Sequence, residues 1–525
     1  MGDHARTPKS RALAWWKARA EAHDYVVGRE DVPGSAETAV LKDEGYLLEV
    51  GGGVAWIVAR PGIDTLPAAF YPNYWRIVRR MLRSYAPAVV ERISAVRLHS
   101  QLFTPPALLT IRQDANASRR RVTLVPGYDV QMHAGAVDPS HAATVEVDGL
   151  EIAVDAPAAT LLGLPVPSLR EDPDTVAIWL KSLVLARPEL EAAYEAFPRP
   201  VVLKRIGLLA RQVGNERLAD QIESLLRGAY GHSLGRGHTN RGPAVVVPTF
   251  ISGLRTTRLP WLDRHAVTFA RFRDEVEREV GTVEAALPRF ASADLLKHAH
   301  AAKVYDAYHS TSIEGYRIGP DEVSAIVRGE PVGGHDPEQV RSRMAVAGYS
   351  RTFETVLRAA AGAGPTRIDE PFIQELYVEL FGPSVDAGLA SPETLRGWRN
   401  RPAYLRDHSH VPPSADKVPR LMRQFEDLVN SVEERPLVRA VMAHYEFVTI
   451  HPFPDGNGRI SRFLMNLCLV GEGLPWVTIR VEDRARYFAS LQRAQVDGDP
   501  APFARLVAGY VEAAVEDLAA RRPPT

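Results

Sequence analysis

The sequence of 525 residues holds a single cysteine, Cys468. An internal disulfide is excluded, and so is a metal cluster built from thiolates. No stretch approaches the ~18 consecutive apolar residues that a membrane-spanning helix needs. The first residues, MGDHARTPKSRALAWW, lack the apolar core of a secretory signal, so a cytoplasmic protein with no membrane partner is expected. Neither sign of charge is in excess. The 63 basic and 64 acidic side chains leave a net charge of −1, which gives no global field toward nucleic acid or membrane. Internal repeats and long low-complexity tracts are lacking as well.

What is present is an ordinary globular composition, 45% hydrophobic and 24% charged. At ~150 residues per domain the length implies about three domains. The clearest break is GAYGHSLGRGHTNRGP, residues 228 to 243, rich in Gly and His and without apolar periodicity; it predicts a linker over 228–250. The half before it reads as mixed α/β and residues 251–525 read as all-α.

Residues 1–65 run from RALAWWKARAEA through AETAVLKDEGYLLEV and three glycines to VAWIVAR. Helix, turn and short hairpin in that order predict a winged-helix-like domain. Residues 1–60 hold 8 Lys/Arg against 9 Asp/Glu, the wrong balance for a DNA-reading face. Residues 66–227 are expected to form an α/β regulatory domain. Within them, residues 71–130 carry 10 Arg and 3 Asp/Glu, including Arg76, Arg79, Arg80, Arg83, Arg119, Arg120 and Arg121. Two readings stay open there: a solvated basic helix face with a polar hairpin turn, or a surface for an anionic partner such as RNA, DNA or an acidic protein. The order of a wing, ISAVRLH and strands ending in VEVDGLEIAVDAPAATLLGLP resembles AbiEi-type antitoxin or regulator domains over residues 30–225. That resemblance implies a regulatory or partner-binding half without catalytic residues.

The densest chemistry lies in HPFPDGNGRISR, residues 451–462. PLVRAVMAHYEFVTI precedes it with Val438, Met442, Tyr445 and Thr449 at helix-face spacing. FLMNLCLV follows, so HPFPDGNG is predicted to be a tight loop between two buried helices. The first amides of a helix have no partner within it, and the macrodipole adds partial positive charge there. Gly456 and Gly458 leave those amides open to a phosphate. Arg459 and Arg462, three residues apart, offer planar forks suited to a polyphosphate. Asp455 would repel an anion unless a divalent ion such as Mg²⁺ bridges it to the phosphates. His451 is the one side chain of the stretch able to take a proton near neutral pH from an attacking hydroxyl. DGNG alone is a common turn, and a His before Pro is usually structural; the joint pattern is what carries the functional reading.

The stretch resembles the signature of the Fic (Fic/Doc) family, HPFx[D/E]GNGRxxR, without substitution. The resemblance implies a compact helical bundle that transfers a nucleoside monophosphate, usually AMP from ATP, to a Ser, Thr or Tyr hydroxyl of a target protein. On that likeness His451 deprotonates the hydroxyl and Asp455 binds Mg²⁺. Gly456, Asn457 and Gly458 cradle the α- and β-phosphates, Arg459 and Arg462 hold the β- and γ-phosphates, and Phe453 anchors the loop. The choice of the α-phosphate comes from the family alone. GWRNRPAYLRDHSHVPPSADKVPRLM, from Gly397, resembles the family's flap, which holds an extended target segment by main-chain pairing; otherwise it is a Pro-rich loop. ARYFASLQRAQVDGDPAPF resembles the segment that lines the adenine pocket, with Tyr487 and Phe488 as candidates. Gln495 stands where the family often has Asn.

Upstream, YHSTSIEGYRIG reads by itself as a helix end with Gly as the stop. It also resembles the family's inhibitory motif [S/T]xxxE[G/N], with Ser310, Glu314 and Gly315 in frame on a helix near 293–315. The resemblance implies that Glu314 pairs with Arg462 and misplaces the tail of ATP. The expected function is a protein adenylyltransferase inhibited in cis. De-adenylylation, other nucleotidyl or phosphate transfer, and a nucleic-acid-binding regulator with a Fic sensor domain are the alternatives, and self-association is left open.

Overall fold

The computed structural model describes residues 7–520 apart from 62–65, 115–118, 166, 231–256, 258, 331–335, 363–366, 404, 406–407, 409 and 433–434. The chain divides into two compact units, Met1–Val267 with Tyr404–Val411, and Thr268–Ala403 with Pro412–Thr525.

The first unit opens with α1 (Pro8–Glu21), β1 (Val26–Val27), α2 (Ser35–Asp43), β2 (Leu47–Val50) and β3 (Ala55–Val58), the strands forming an antiparallel sheet in the order β1-β3-β2. Gly51, Gly52 and Gly53 all take positive φ in the β2–β3 turn, a conformation that glycine adopts without steric cost. Next come α3 (Leu66–Ser84), β4 (Ala88–Val90), α4 (Arg92–His99) and five further strands: β5 (Leu108–Gln113), β6 (Arg120–Val125), β7 (Tyr128–Ala134), β8 (Ala142–Val147) and β9 (Leu150–Asp155). These make a mixed sheet ordered β6-β7-β5-β4-β9-β8. One hydrophobic cluster joins Val50 and Ile57 of the first sheet to Phe70, Tyr74, Ile111 and Val154, so both sheets share a core. Helices α5 (Pro157–Gly163), α6 (Ser168–Glu171), α7 (Pro173–Ser182), α8 (Arg187–Ala196), α9 (Pro200–Gln212) and α10 (Glu216–Tyr230) gather around Leu161, Trp179, Leu209 and Ile222.

The basic segment is partly neutralised by the fold. Arg80 pairs with Glu30 and Asp31, Arg112 with Asp155, and Arg121 with Asp129. Of the linker expected at 228–250, residues 231–250 lie outside the described residues, and Gly228 to Tyr230 close α10 rather than leave it.

The second unit is helical. Helix α11 (Pro260–Ala286) enters it, followed by α12 (Ser292–Ile313), α13 (Pro320–Val327), α14 (Pro337–Ala360), α15 (Glu370–Asp386), α16 (Val418–Asn430), α17 (Pro436–Ile450), α18 (Asn457–Gly471), α19 (Arg484–Gln492) and α20 (Ala501–Ala520). Helix α17 is buried at every position except Thr449, and α18 at most of its positions. Helices buried on nearly every face form the core, and these two carry Arg439, His444, Arg459 and Arg462 into it. Gly348 lets α14 approach the backbone of α15: a Cβ there would lie 1.9 Å from the Leu380 carbonyl oxygen. Phe453, in the loop between α17 and α18, is fully buried and stacks on Tyr377 with ring centroids 3.8 Å apart. Among the described residues no helix is long and apolar enough to cross a membrane.

Candidate active site

The polar loop begins where α17 ends. His451 is its C-cap, in the left-handed conformation at φ 54° and ψ 59°. A non-glycine residue pays roughly 1–2 kcal/mol for that conformation, so its surroundings must impose it. The His451 amide donates to Phe447 O at 2.9 Å, and its carbonyl accepts from Arg399 Nε at 2.7 Å. The ring Nδ1 lies 3.3 Å from the Val448 carbonyl. A carbonyl only accepts, so Nδ1 carries the proton and Nε2 keeps its lone pair. Burial, with help from the Arg399 charge, pushes the imidazole down to about 4, against smaller upward effects of Val448, Glu314 and Asp455. A neutral imidazole at pH 7 can receive a proton.

Asn457 closes the loop. Its Oδ1 accepts from the Phe453 amide at 2.9 Å and its Nδ2 donates to the Phe453 carbonyl at 2.8 Å. The side chain therefore staples the loop, between the two glycines that the family resemblance groups with it as the phosphate cradle. Gly456 caps α18 at φ 82°, and a Cβ there would meet the Phe381 ring at 2.7 Å. At Gly458 a Cβ would sit 2.4 Å from Glu314 Oε1. The missing side chain makes room for the carboxylate as well as for any phosphate.

The two arginines go to different partners. Arg459 is 1% exposed, with Tyr316 and Phe381 rings each 5.1 Å from its guanidinium carbon and Asp455 at 3.5 Å. Among the described residues none of its three guanidinium nitrogens has a hydrogen-bond partner. Arg462 is fully engaged: Nε donates to Ser310 Oγ at 2.8 Å, and Nη2 to Ser310 O at 3.0 Å and Glu314 Oε1 at 2.7 Å. Burial opposes its charge most strongly, and Glu314, Tyr487 and Tyr349 together outweigh that and raise it. Glu314 is the C-cap of α12 and Gly315 follows at φ 90°, the glycine stop expected from sequence. Glu314, Gly315, Tyr316, Arg341 and Asp455 line a cavity of about 190 Å³.

Tyr487 is buried, and its hydroxyl lies 2.8 Å from His444 Nε2 and 3.5 Å from Arg462 Nη1. Phe488 is half-buried under the Arg484 guanidinium, at 4.7 Å. Gln495 sits in a π-turn, Arg493–Asp497, and donates to Thr449 Oγ1 at 2.9 Å. Several contributors went unseen in the sequence: Arg399, His444, Tyr316, Phe381 and Asp306. The last is buried on α12, accepts from Tyr349 and Thr478, and is raised to about 6 by burial. A lone His or Asp in an apolar helix was the available signal for His444 and Asp306. Nothing in the spacing marked the others, because each acts across the fold.

Residues 367–469, from just before α15 nearly to the end of α18, match the model of the Fic/DOC family. Over a wider stretch the chain resembles the protein adenylyltransferase fic-1 of Caenorhabditis elegans, 31% identical over 216 residues, 40% of this chain and 40% of that protein. The protein adenylyltransferase Fic of Drosophila willistoni is 43% identical over 127 residues, 24% of this chain and 25% of that protein. The chain spans less than half the length of these curated relatives. Among solved structures, Fic-1 (aa134–508) from C. elegans is 22% identical, with 67% of this chain and 93% of that one covered and a TM-score of 0.38. The matched stretch contains the loop 451–462, all of α17, most of α18, and Arg399.

Proposed function

We propose that the protein is a protein adenylyltransferase that moves AMP from ATP to a Ser, Thr or Tyr hydroxyl of a target protein and is held inactive by Glu314. The observation that carries this reading is the 2.7 Å pair of Glu314 with Arg462, at the start of the helix that follows a neutral His451. In the reaction the target oxygen bonds to the α-phosphorus while its proton passes to His451 Nε2. The bond from the α-phosphorus to the bridging oxygen breaks, and pyrophosphate leaves with the electron pair. The amides opening α18 and the guanidinium of Arg459 receive the charge of the phosphates. Asp455, half-exposed beside the small cavity, fits a Mg²⁺ ion that needs one carboxylate and several waters. Bound there, Mg²⁺ would neutralise phosphate oxygens.

Arg462 serves this chemistry once Glu314 leaves. While the carboxylate occupies it, the γ-phosphate lacks its fork and ATP lies out of line for attack. Phe488 and Gln495 are the proposed adenine contacts, while Tyr487, buried against His444, supports Arg462 from below. The first unit is read as the regulatory half: helices α1 and α2 before a short hairpin support a winged-helix-like element, and the exposed part of its basic segment, Arg83 and Arg119 to Arg121, an anionic partner. A cytoplasmic setting is part of the same proposal. Mass spectrometry of the protein incubated with ATP and Mg²⁺ tests the reading. Glu314→Gly is expected to carry added AMP, wild type little, and Glu314→Gly with His451→Ala none. No AMP on Glu314→Gly would sink it, and label placed on the α- or γ-phosphate separates nucleotidyl from phosphate transfer.

A further inference from the structure

Arg399 is buried, and its guanidinium donates to four backbone carbonyls. Its Nε goes to His451 O at 2.7 Å, Nη1 to Arg401 O at 3.0 Å, and Nη2 to Pro413 O and, at 3.4 Å, to Ile450 O. Its own amide donates to Pro452 O at 2.8 Å. Ile450 and His451 close α17, where carbonyls have no partner within the helix and a cation is favoured. His451 is also the residue held at positive φ there. Resting on the adenylyltransferase reading, we propose that Arg399 is a positioning residue: one guanidinium fixes the backbone of the base His451 and ties the Arg401 and Pro413 carbonyls to it.

Geometry argues for this. Five donors in a rigid fork can meet four carbonyls from two chain segments, which no ammonium or amide can do. The charged groups acting on the imidazole are Arg399, Glu314 and Asp455. Arg399 alone of these also touches the His451 main chain.

The test compares Glu314→Gly with Glu314→Gly carrying Arg399→Gln or Arg399→Lys. Dissociation constants for ATP come from calorimetry, and rates of AMP incorporation are measured at saturating ATP. Arg399→Gln should leave the ATP dissociation constant within about twofold and lower the rate about a hundredfold, the scale of an ångström-sized misplacement. Arg399→Lys should recover little, because one ammonium cannot bridge two segments. A second readout needs no activity. Nitrogen NMR of the His451 ring in the full chain should show one Nδ1–H tautomer with Arg399 in place and a mixture in Arg399→Gln. An unchanged rate and tautomer in folded Arg399→Gln, or full recovery by Arg399→Lys, would overturn the proposal. Absence of AMP transfer in Glu314→Gly itself would instead fault the adenylyltransferase reading, while the NMR comparison would still decide the role of Arg399.

Discussion

Arg459 lies 1% exposed between two rings, with no hydrogen bond to any described residue on its guanidinium. A buried cation so poorly compensated works against folding, because the desolvation penalty is several kcal/mol and two ring contacts plus a half-exposed carboxylate return only part of it. Arg459→Met keeps the packing and removes the charge. It is expected to raise the melting temperature without nucleotide by the equivalent of about 1 kcal/mol and to abolish the stabilisation that ATP brings. Melting curves with and without ATP check both halves, and a variant less stable than wild type contradicts the assignment. His451 gives a second expectation at this scale. Its imidazole is pushed down to about 4, so the proton-accepting form persists well into acid. In Glu314→Gly, kcat/KM should stay level from pH 8 to about 5 and fall only toward 4. A drop centred near 6.5 would mean that burial does not act on the ring.

At the scale of elements, the loop 451–458 was legible because its chemistry is local. A His, a tight turn with glycines and a helix start follow one another in the chain, and the helix-face spacing of Val438, Met442 and Tyr445 placed the buried helix before it. The glycine stop after Glu314 was legible for the same reason. What could not be read was the crossing of α14 and α15. Gly348 sits in an unbroken helical pattern, and its purpose exists only because Leu380 comes within contact of it. Gly348→Ala improves intrinsic helix propensity yet forces the two backbones apart, so a net destabilisation of roughly 2 kcal/mol is expected. Denaturant unfolding measures it; a more stable variant would show that the helices can separate freely.

On the scale of the whole molecule, each unit buries both an imidazole and a carboxylate. Burial lowers His99 in the first unit and His309 and His444 in the second. Burial raises Asp155 and Asp306 to about 6. Between pH 7.5 and 6 the unfolded chain takes protons on these imidazoles and the folded chain does not, so stability falls, by about 0.5–1 kcal/mol for a fully buried ring such as His444. Below about 6 the folded chain protonates the two carboxyls before the unfolded chain does, which opposes the loss. Thermal melts across pH should therefore decline from 7.5 to 6 and go on declining below it, because these imidazoles, with His451 beside them, outnumber the two carboxyls. A melting temperature that rises over the first interval would reverse the sign.

The amino-acid order alone determined the mixed first half, the helical second half, the loop 451–462 and the paired upstream stretch at Ser310 and Glu314, since periodicity, turns and caps act within a few residues of one another. Only the tertiary structure decided that Asn457 staples the loop, that Arg459 and Arg462 diverge, that Tyr487 lies under Arg462, and that Arg399 reaches across 52 positions to His451. Those pairings depend on which groups the packed helices bring within hydrogen-bond reach of each other, a distance set by the fold as a whole.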